Sequence, residues 1–189
     1  MFGAYCLMLL STPAHGQQQD WERHMRLGVS ARNAGDLVNA AAQFEAALAE
    51  AKKIGPNDLR VATTLTHLAE SHRSAGRFAD AAAALEQALP IAEAKVGPNH
   101  PDFAYVLNEL AVNLADQRRY ADAEPLFERA LAIEENALGH DHPTVAAILI
   151  GLARNYSAQQ KYSLAEPISR RALALPPSRR SRSKTPSST

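Results

Sequence analysis

Residues 97–138 read GPNHPDFAYVLNELAVNLADQRRYADAEPLFERALAIEENAL, and a shift of 42 residues lays this stretch on 139–180 with seventeen identical positions. Gly97/Gly139, His100/His142, Pro101/Pro143, Leu107/Leu149, Leu110/Leu152, Ala111/Ala153, Tyr120/Tyr162, Ala123/Ala165, Pro125/Pro167 and Ala130/Ala172 are among them. A period of this length marks stacked units, none of which can bury its apolar face alone. Within one unit, Val106, Leu107, Leu110, Ala111 and Leu114 recur at three- and four-residue spacing, as do Ala123, Phe127, Ala130 and Leu131. Each set is one face of a helix. The polar link 116–120 is so short that the two helices must lie antiparallel. Ala111, Ala123 and Ala130 fall where the axes would cross, and small side chains there allow close packing.

The same frame extends backwards through Leu65, Leu68, Ala69, Gly76, Phe78, Ala81, Leu85 and Ala88 to Leu27, Gly28, Ala31, Gly35, Ala40, Phe44 and Ala47. Forwards it takes in Leu149, Leu152, Ala153, Tyr156, Tyr162, Ala165 and Ala172. The expected fold is all-α, built of four helix pairs at about 21–54, 62–96, 104–138 and 146–175. Gly97 and Gly139 suit the left-handed conformation that closes a helix, and Pro101 and Pro143 suit the first helical position. Asn57-Asp58 offers a polar cap. Pro125 and Pro167, near the start of a second helix, are expected to bend it slightly.

The pattern resembles the tetratricopeptide repeat, whose signature W-x2-L-G-x2-Y…A-x3-F…P spans two antiparallel helices. The first unit supplies His24-x2-Leu27-Gly28-x2-Ala31…Ala40-x3-Phe44, and the third Leu107-x2-Leu110-Ala111-x2-Leu114…Ala123-x3-Phe127. The 42-residue version found in kinesin light chains and bacterial relatives is similar in its Gly-x-x-His-Pro linker and its Ala123-Glu124-Pro125-Leu126 run. The resemblance implies a right-handed α-α superhelix, a solenoid of about four helix pairs. Two departures matter. Lys52, Glu93 and Glu135 replace the proline that ends the second helix of 34-residue repeats, so these helices should continue by about two turns to the next glycine. Ser169 stands where Phe44, Leu85 and Phe127 stand, and Pro176-Pro177 follows, so the fourth unit should be short and weakly packed on its outer side.

Functionally, the resemblance implies a non-catalytic scaffold that binds a peptide segment or partner domain in a concave groove lined by the first helices. Carried over position by position, the groove residues are Thr66, Glu70 and Arg73 in the second unit, Tyr105, Asn108 and Val112 in the third, and Ile150 and Arg154 in the fourth. Thr63, Ala115, Ala147 and Ser157 complete those sets, and the first unit offers Glu22, Met25, Val29 and Arg32. Asn108 matches an asparagine able to bond a peptide backbone, whereas the Lys/Asn clamp for a terminal carboxylate is not reproduced. The alternative is that this face is simply the solvated side of the solenoid. A second hypothesis is self-association of the chain through its uncapped fourth repeat, since solenoids need polar end caps. A third is a regulatory fragment of a larger protein.

Other chemistry finds little support. Twenty basic and twenty acidic residues cancel, which argues against a generic nucleic-acid binder. The last twelve residues carry four of the bases and no acid, leaving 16 basic against 20 acidic residues in the body. Residues 177–189, rich in Ser and Arg, are expected to be disordered, and Lys184-Thr185-Pro186 there is a weak phosphorylation signal. No phosphate-binding glycine loop or nucleophile elbow occurs, so no catalytic residue and no cofactor are expected. His140-Asp141-His142 reads as linker rather than metal site, His67 and His72 are poorly spaced to share a ligand, and Glu45, Glu134 and Glu135 read as solvated faces. Residues 1–10 are apolar but too short to span a bilayer, and with Ala14-His15-Gly16 they resemble a signal peptide that lacks a basic start. Export, periplasmic or secreted, is therefore expected for the body from Gln17, with a cytoplasmic location as the alternative. The single cysteine, Cys6, excludes a disulfide within the chain.

Overall fold

The computed structural model describes residues 13–175. Over these residues the chain is all helical: α1 (Pro13–Asn33), α2 (Leu37–Ile54), α3 (Leu59–Ser74), α4 (Phe78–Val96), α5 (Pro101–Asp116), α6 (Tyr120–Leu138), α7 (Pro143–Ala158) and α8 (Tyr162–Ala174). Residues 1–12, which hold most of the expected leader, and 176–189, which hold the basic tail, lie outside the described residues. Pro13–Gly16 form the first turn of α1. No helix among the described residues is long and apolar enough to cross a membrane. The chain divides near Lys95 into two compact units, α1 to α4 and α5 to α8.

In the first unit, the helix ends are set by identifiable side chains. Asp36 Oδ1 accepts the amide of Asn39 at 3.0 Å, and Asp58 Oδ1 accepts that of Arg60 at 2.9 Å. These carboxylates satisfy amides that a helix start leaves unpaired. With no proline at Lys52 or Glu93, α2 runs to Ile54 and α4 to Val96, each followed by glycine. Their inner faces are almost pure alanine: Ala40, Ala47, Ala51, Ala81, Ala88 and Ala92 are fully buried. Large side chains enter the α1–α3 core sparingly, and Phe44 is the chief of them. Its ring lies so close to the Gly28 Cα that an added Cβ would meet Cε1 at 2.6 Å. On another side the ring stacks on His67 of α3, with centroids 5.6 Å apart. Trp21 ties α1 to α3, its indole donating to Thr64 Oγ1 at 2.8 Å beneath the Arg60 guanidinium.

In the second unit the repeated linker histidines are helix caps. The Nδ1 atoms of His100 and His142 accept the amides of Asp102 and Thr144 at 3.1 and 3.3 Å, with Pro101 and Pro143 in the first turn. Gly139 has φ 85° and ψ 161°, a conformation essentially confined to glycine rather than the left-handed helical well expected of it. Phe127 seats against α7, where a Cβ on Gly151 would meet its ring at 2.8 Å. Polar groups join α6 to α7 around this wedge. Asn155 Nδ2 donates to the Tyr120 carbonyl at 3.0 Å, Tyr156 donates to Glu128 at 2.6 Å, and Gln159 and Lys161 both donate to Glu124. The Lys161 bond holds the Glu124 carboxyl below its usual range. α8 is short, thirteen residues, and only Ala165 of it is buried. Ser169 thus leaves the fourth pair as thin as its small side chain suggests.

The pinning of Phe44 yields a stability prediction. Ala69, Ala111 and Ala153 stand at the positions equivalent to Gly28, yet Phe44 cannot retreat because His67 lies behind it. Gly28→Ala should therefore cost about 1–3 kcal/mol by overpacking. Thermal unfolding should show a lowered midpoint, and an unchanged one would mean that the ring has room to move.

Candidate interaction surface

Within the first unit, the proposed groove residues of α1 and α3 are largely engaged with each other. Arg32 of α1 forms an ion pair with Glu70 of α3, and His67 Nδ1 lies 3.4 Å from Glu70 Oε1 and 3.3 Å from the guanidinium. Arg32 also lies over the Phe44 ring at 5.8 Å. The result is a packed layer of Phe44, His67, Arg32 and Glu70, with both ion-pair side chains at least four-fifths buried. Burial first, and the Arg32 charge second, push the His67 pKa down to about 4. Thr66 is a correction. It is completely buried, its hydroxyl donating to the Ala62 carbonyl at 2.9 Å, and it cannot reach a ligand. Arg73 is half-buried at the end of α3.

Within the second unit, Tyr105 and Asn108 are half-buried on α5, and the Asn108 amide donates to the adjacent Glu109 at 3.2 Å. Val112, Ile150 and Arg154 instead come together on the wall of one open cavity of about 670 Å³. Phe127, Gly151, Ala153, Ser169 and Leu173 also line it, with Arg118, Tyr120 and Asp116. The cavity follows from three residues. Gly151 stands where the first unit has His67, so the buried Phe127 ring seats directly on the α7 backbone and no side chain projects from that position. Ser169 replaces the large apolar residue of the other pairs, so nothing fills the space beside Ala153. Arg118, with φ 62°, occupies the turn position held by Gly35 and Gly76 in the earlier pairs. A non-glycine residue there costs about 1–2 kcal/mol, and strain of this kind gathers at binding sites. Gln160 repeats the anomaly in the last turn, with φ 61°, but does not line the cavity.

The charge around the opening is lopsided, two guanidinium groups against the one carboxylate of Asp116. Arg154 is exposed, and neither it nor Arg118 takes part in an ion pair among the described residues. Ile150 is 52% exposed, an apolar side chain left at the rim. Sequence reasoning found Val112, Ile150 and Arg154 and noted Ser169, but not Arg118, Gly151 or Phe127 as one site. The available signal was Gly151 aligned with His67 and Glu109.

Two further expectations need correction. Glu134 is not on a solvated face: it is 2% exposed, one of its oxygens lacks a hydrogen-bond partner, and burial raises its pKa despite nearby His142 and His100. Glu135 is ion-paired with Arg171. No group of three or more His, Cys, Asp or Glu among the described residues could hold a metal.

Comparison with known proteins agrees with the paired-helix fold. A family profile described as tetratricopeptide repeat matches residues 22–94 and 102–178. Among solved structures, BtubC (BKLC) from P. vanneervenii superposes with a TM-score of 0.71 at 22% identity, over 86% of this chain and 71% of that one. A Podosopora anserina protein described as a kinesin light chain, with nearly identical TPR-like repeats, gives 0.64 at 23% identity, over 82% and 74%. The TPR2B domain of yeast Sti1, solved in a pHsp70 complex, gives 0.59 at 18% identity, over 76% and 98%. Among proteins of curated function, none matches the sequence.

His67 makes the first unit sensitive to acid. Between pH 6.5 and about 4 the unfolded chain protonates this imidazole while the folded chain does not, so stability falls as pH falls through that window. The full loss is on the order of 3 kcal/mol. His67→Gln should flatten this part of the profile when unfolding midpoints are compared at pH 7 and pH 4.5. An equal acid loss in wild type and variant would contradict the assignment.

Proposed function

The chain belongs to the tetratricopeptide repeat family, and from that premise we propose that it is a non-catalytic interaction module that binds a peptide segment of a partner protein. The carrying observation is the second-unit cavity, with its apolar wall of Phe127, Gly151, Ile150 and Ala153 and two unpaired arginines beside it. Such a site takes one bulky apolar side chain and favours acidic residues next to it, since a guanidinium pairs well with a carboxylate. Most of the affinity would come from burying the anchor, and the arginines would add orientation and on-rate. The first-unit layer plays a different part: with Arg32 and Glu70 already paired, it supports the fold rather than recognising a ligand. The setting we propose is outside the cytoplasm. Cleavage before Gln17 would remove one turn of α1 and leave the Trp21 anchor in place, and the N-terminal residue of the secreted chain tests this.

Titration with a labelled peptide bearing a central leucine or phenylalanine between acidic residues tests the binding reading. Arg154→Glu should weaken the complex about tenfold or more, about 1.4 kcal/mol. Ser169→Leu should fill the cavity, raising the unfolding midpoint while abolishing binding. Equal affinity in wild type and both variants would overturn the reading.

Strain at Arg118 gives a paired test. Arg118→Gly and Gln160→Gly should each stabilise the second unit by about 0.5–1 kcal/mol, after the entropic cost of glycine is subtracted. Only Arg118→Gly should also weaken the acidic peptide. If both variants bind alike, Arg118 has no role in recognition.

A further inference from the structure

α8 carries a stripe that the cavity explains only in part, through Ser169 and Leu173. Tyr162, Glu166, Ser169, Arg170 and Leu173 recur along one face of the helix and line a shallow depression on it. Tyr162 is 65% and Leu173 87% exposed, a high degree for large apolar groups. The Glu166 and Arg170 side chains are also mostly exposed, and they pair with each other along the helix at 2.7 Å.

The stripe is complementary to itself. Turn a second α8 antiparallel about a two-fold axis between Glu166 and Arg170, and each Glu166 faces the other copy's Arg170. The same rotation brings Tyr162 within one residue of the other copy's Leu173. Ser169 falls next to the axis, where its small side chain allows the two helices to approach, as phenylalanine at that position would not. An isologous contact has this property: one patch meets its own image, and every charge finds its opposite.

We propose that α8 is the interface of a two-fold symmetric homodimer, in which the paired stripes bury Tyr162 and Leu173 and the four charges form an alternating ring. This contact shares Ser169 and Leu173 with the cavity lining but adds Tyr162, Glu166 and Arg170, which do not line the cavity, and it does not rest on peptide binding there. Because the stripe is one short helix, the dimer is concentration-dependent and modest in strength.

Sedimentation equilibrium of the full chain, between about 1 µM and about 1 mM, tests the proposal. Wild type should pass from one to two chains in mass across that range. Glu166→Arg and Arg170→Glu each place like charges face to face and should weaken self-association by about tenfold or more. Both positions are exposed and their pair lies on the helix surface, so each variant should stay folded, with at most a small drop in unfolding midpoint. The decisive sample is an equimolar mixture of the two, in which every facing pair is again opposite in sign. The mixture should form a heterodimer at concentrations where neither variant alone dimerises. A wild-type mass of one chain throughout, as expected if the chain's own tail or a different protein covers α8, would overturn the proposal. So would a mixture that stays monomeric.

Discussion

One contact recurs and organises both units: an aromatic ring on the second helix of a pair, wedged against a residue with little or no side chain. Phe44 lies against Gly28 of its own pair and stacks on His67 of the next, while Phe127 lies against Gly151 of the following pair. With alanine covering most of the inner faces, these rings supply much of the large apolar bulk between pairs. A thin helical layer cannot collapse around a missing ring as a thick core can. What stands opposite each ring therefore decides how the ring is seated. His67 stacks on Phe44 in the first unit, whereas Phe127 packs directly on Gly151 in the second and the opening lies beside it, where Ser169 is small.

Around the open wedge, polar groups take over the task of joining helices. The Tyr120 carbonyl, Glu124 and Glu128 on α6 receive Asn155, Gln159, Lys161 and Tyr156 from α7 and its following turn. Half-buried hydrogen bonds of this sort contribute modestly each but fix geometry. They hold α7 in place beside a cavity that would otherwise weaken the packing. The second unit can thus keep a binding site without losing the register of its helices, and the strain at Arg118 is offset within the same framework.

Much of this was legible in the sequence because repetition makes each position a comparison. The 42-residue period located four helix pairs, the missing proline at Lys52 and Glu93 foretold long second helices, and Ser169 announced a thin last pair. What a periodic pattern misses is a residue acting out of its ordinary role. His100 and His142 looked like linker markers and are caps. Glu134 looked solvated because it is charged, yet it is buried, since the face of α6 that meets the helix starts at His100 and His142 continues past the apolar run. Thr66 fell on the face expected to meet ligand, but threonine in a helix can turn its hydroxyl back to the chain and bury itself. Arg32 and Glu70 carried opposite charges on different helices, and their pairing needed three-dimensional proximity that spacing does not report.

The central claim is that recognition sits in the space vacated by Gly151 and Ser169, and amide chemical shifts read this directly. The full chain, uniformly labelled, would be titrated with the leucine-centred acidic peptide. The account predicts saturable shifts at Gly151, Arg154 and Ser169, with Gly28 and Glu70 of the first unit unmoved. Shifts centred on Glu70 and Arg73, or none in the second unit at saturating peptide, would contradict it.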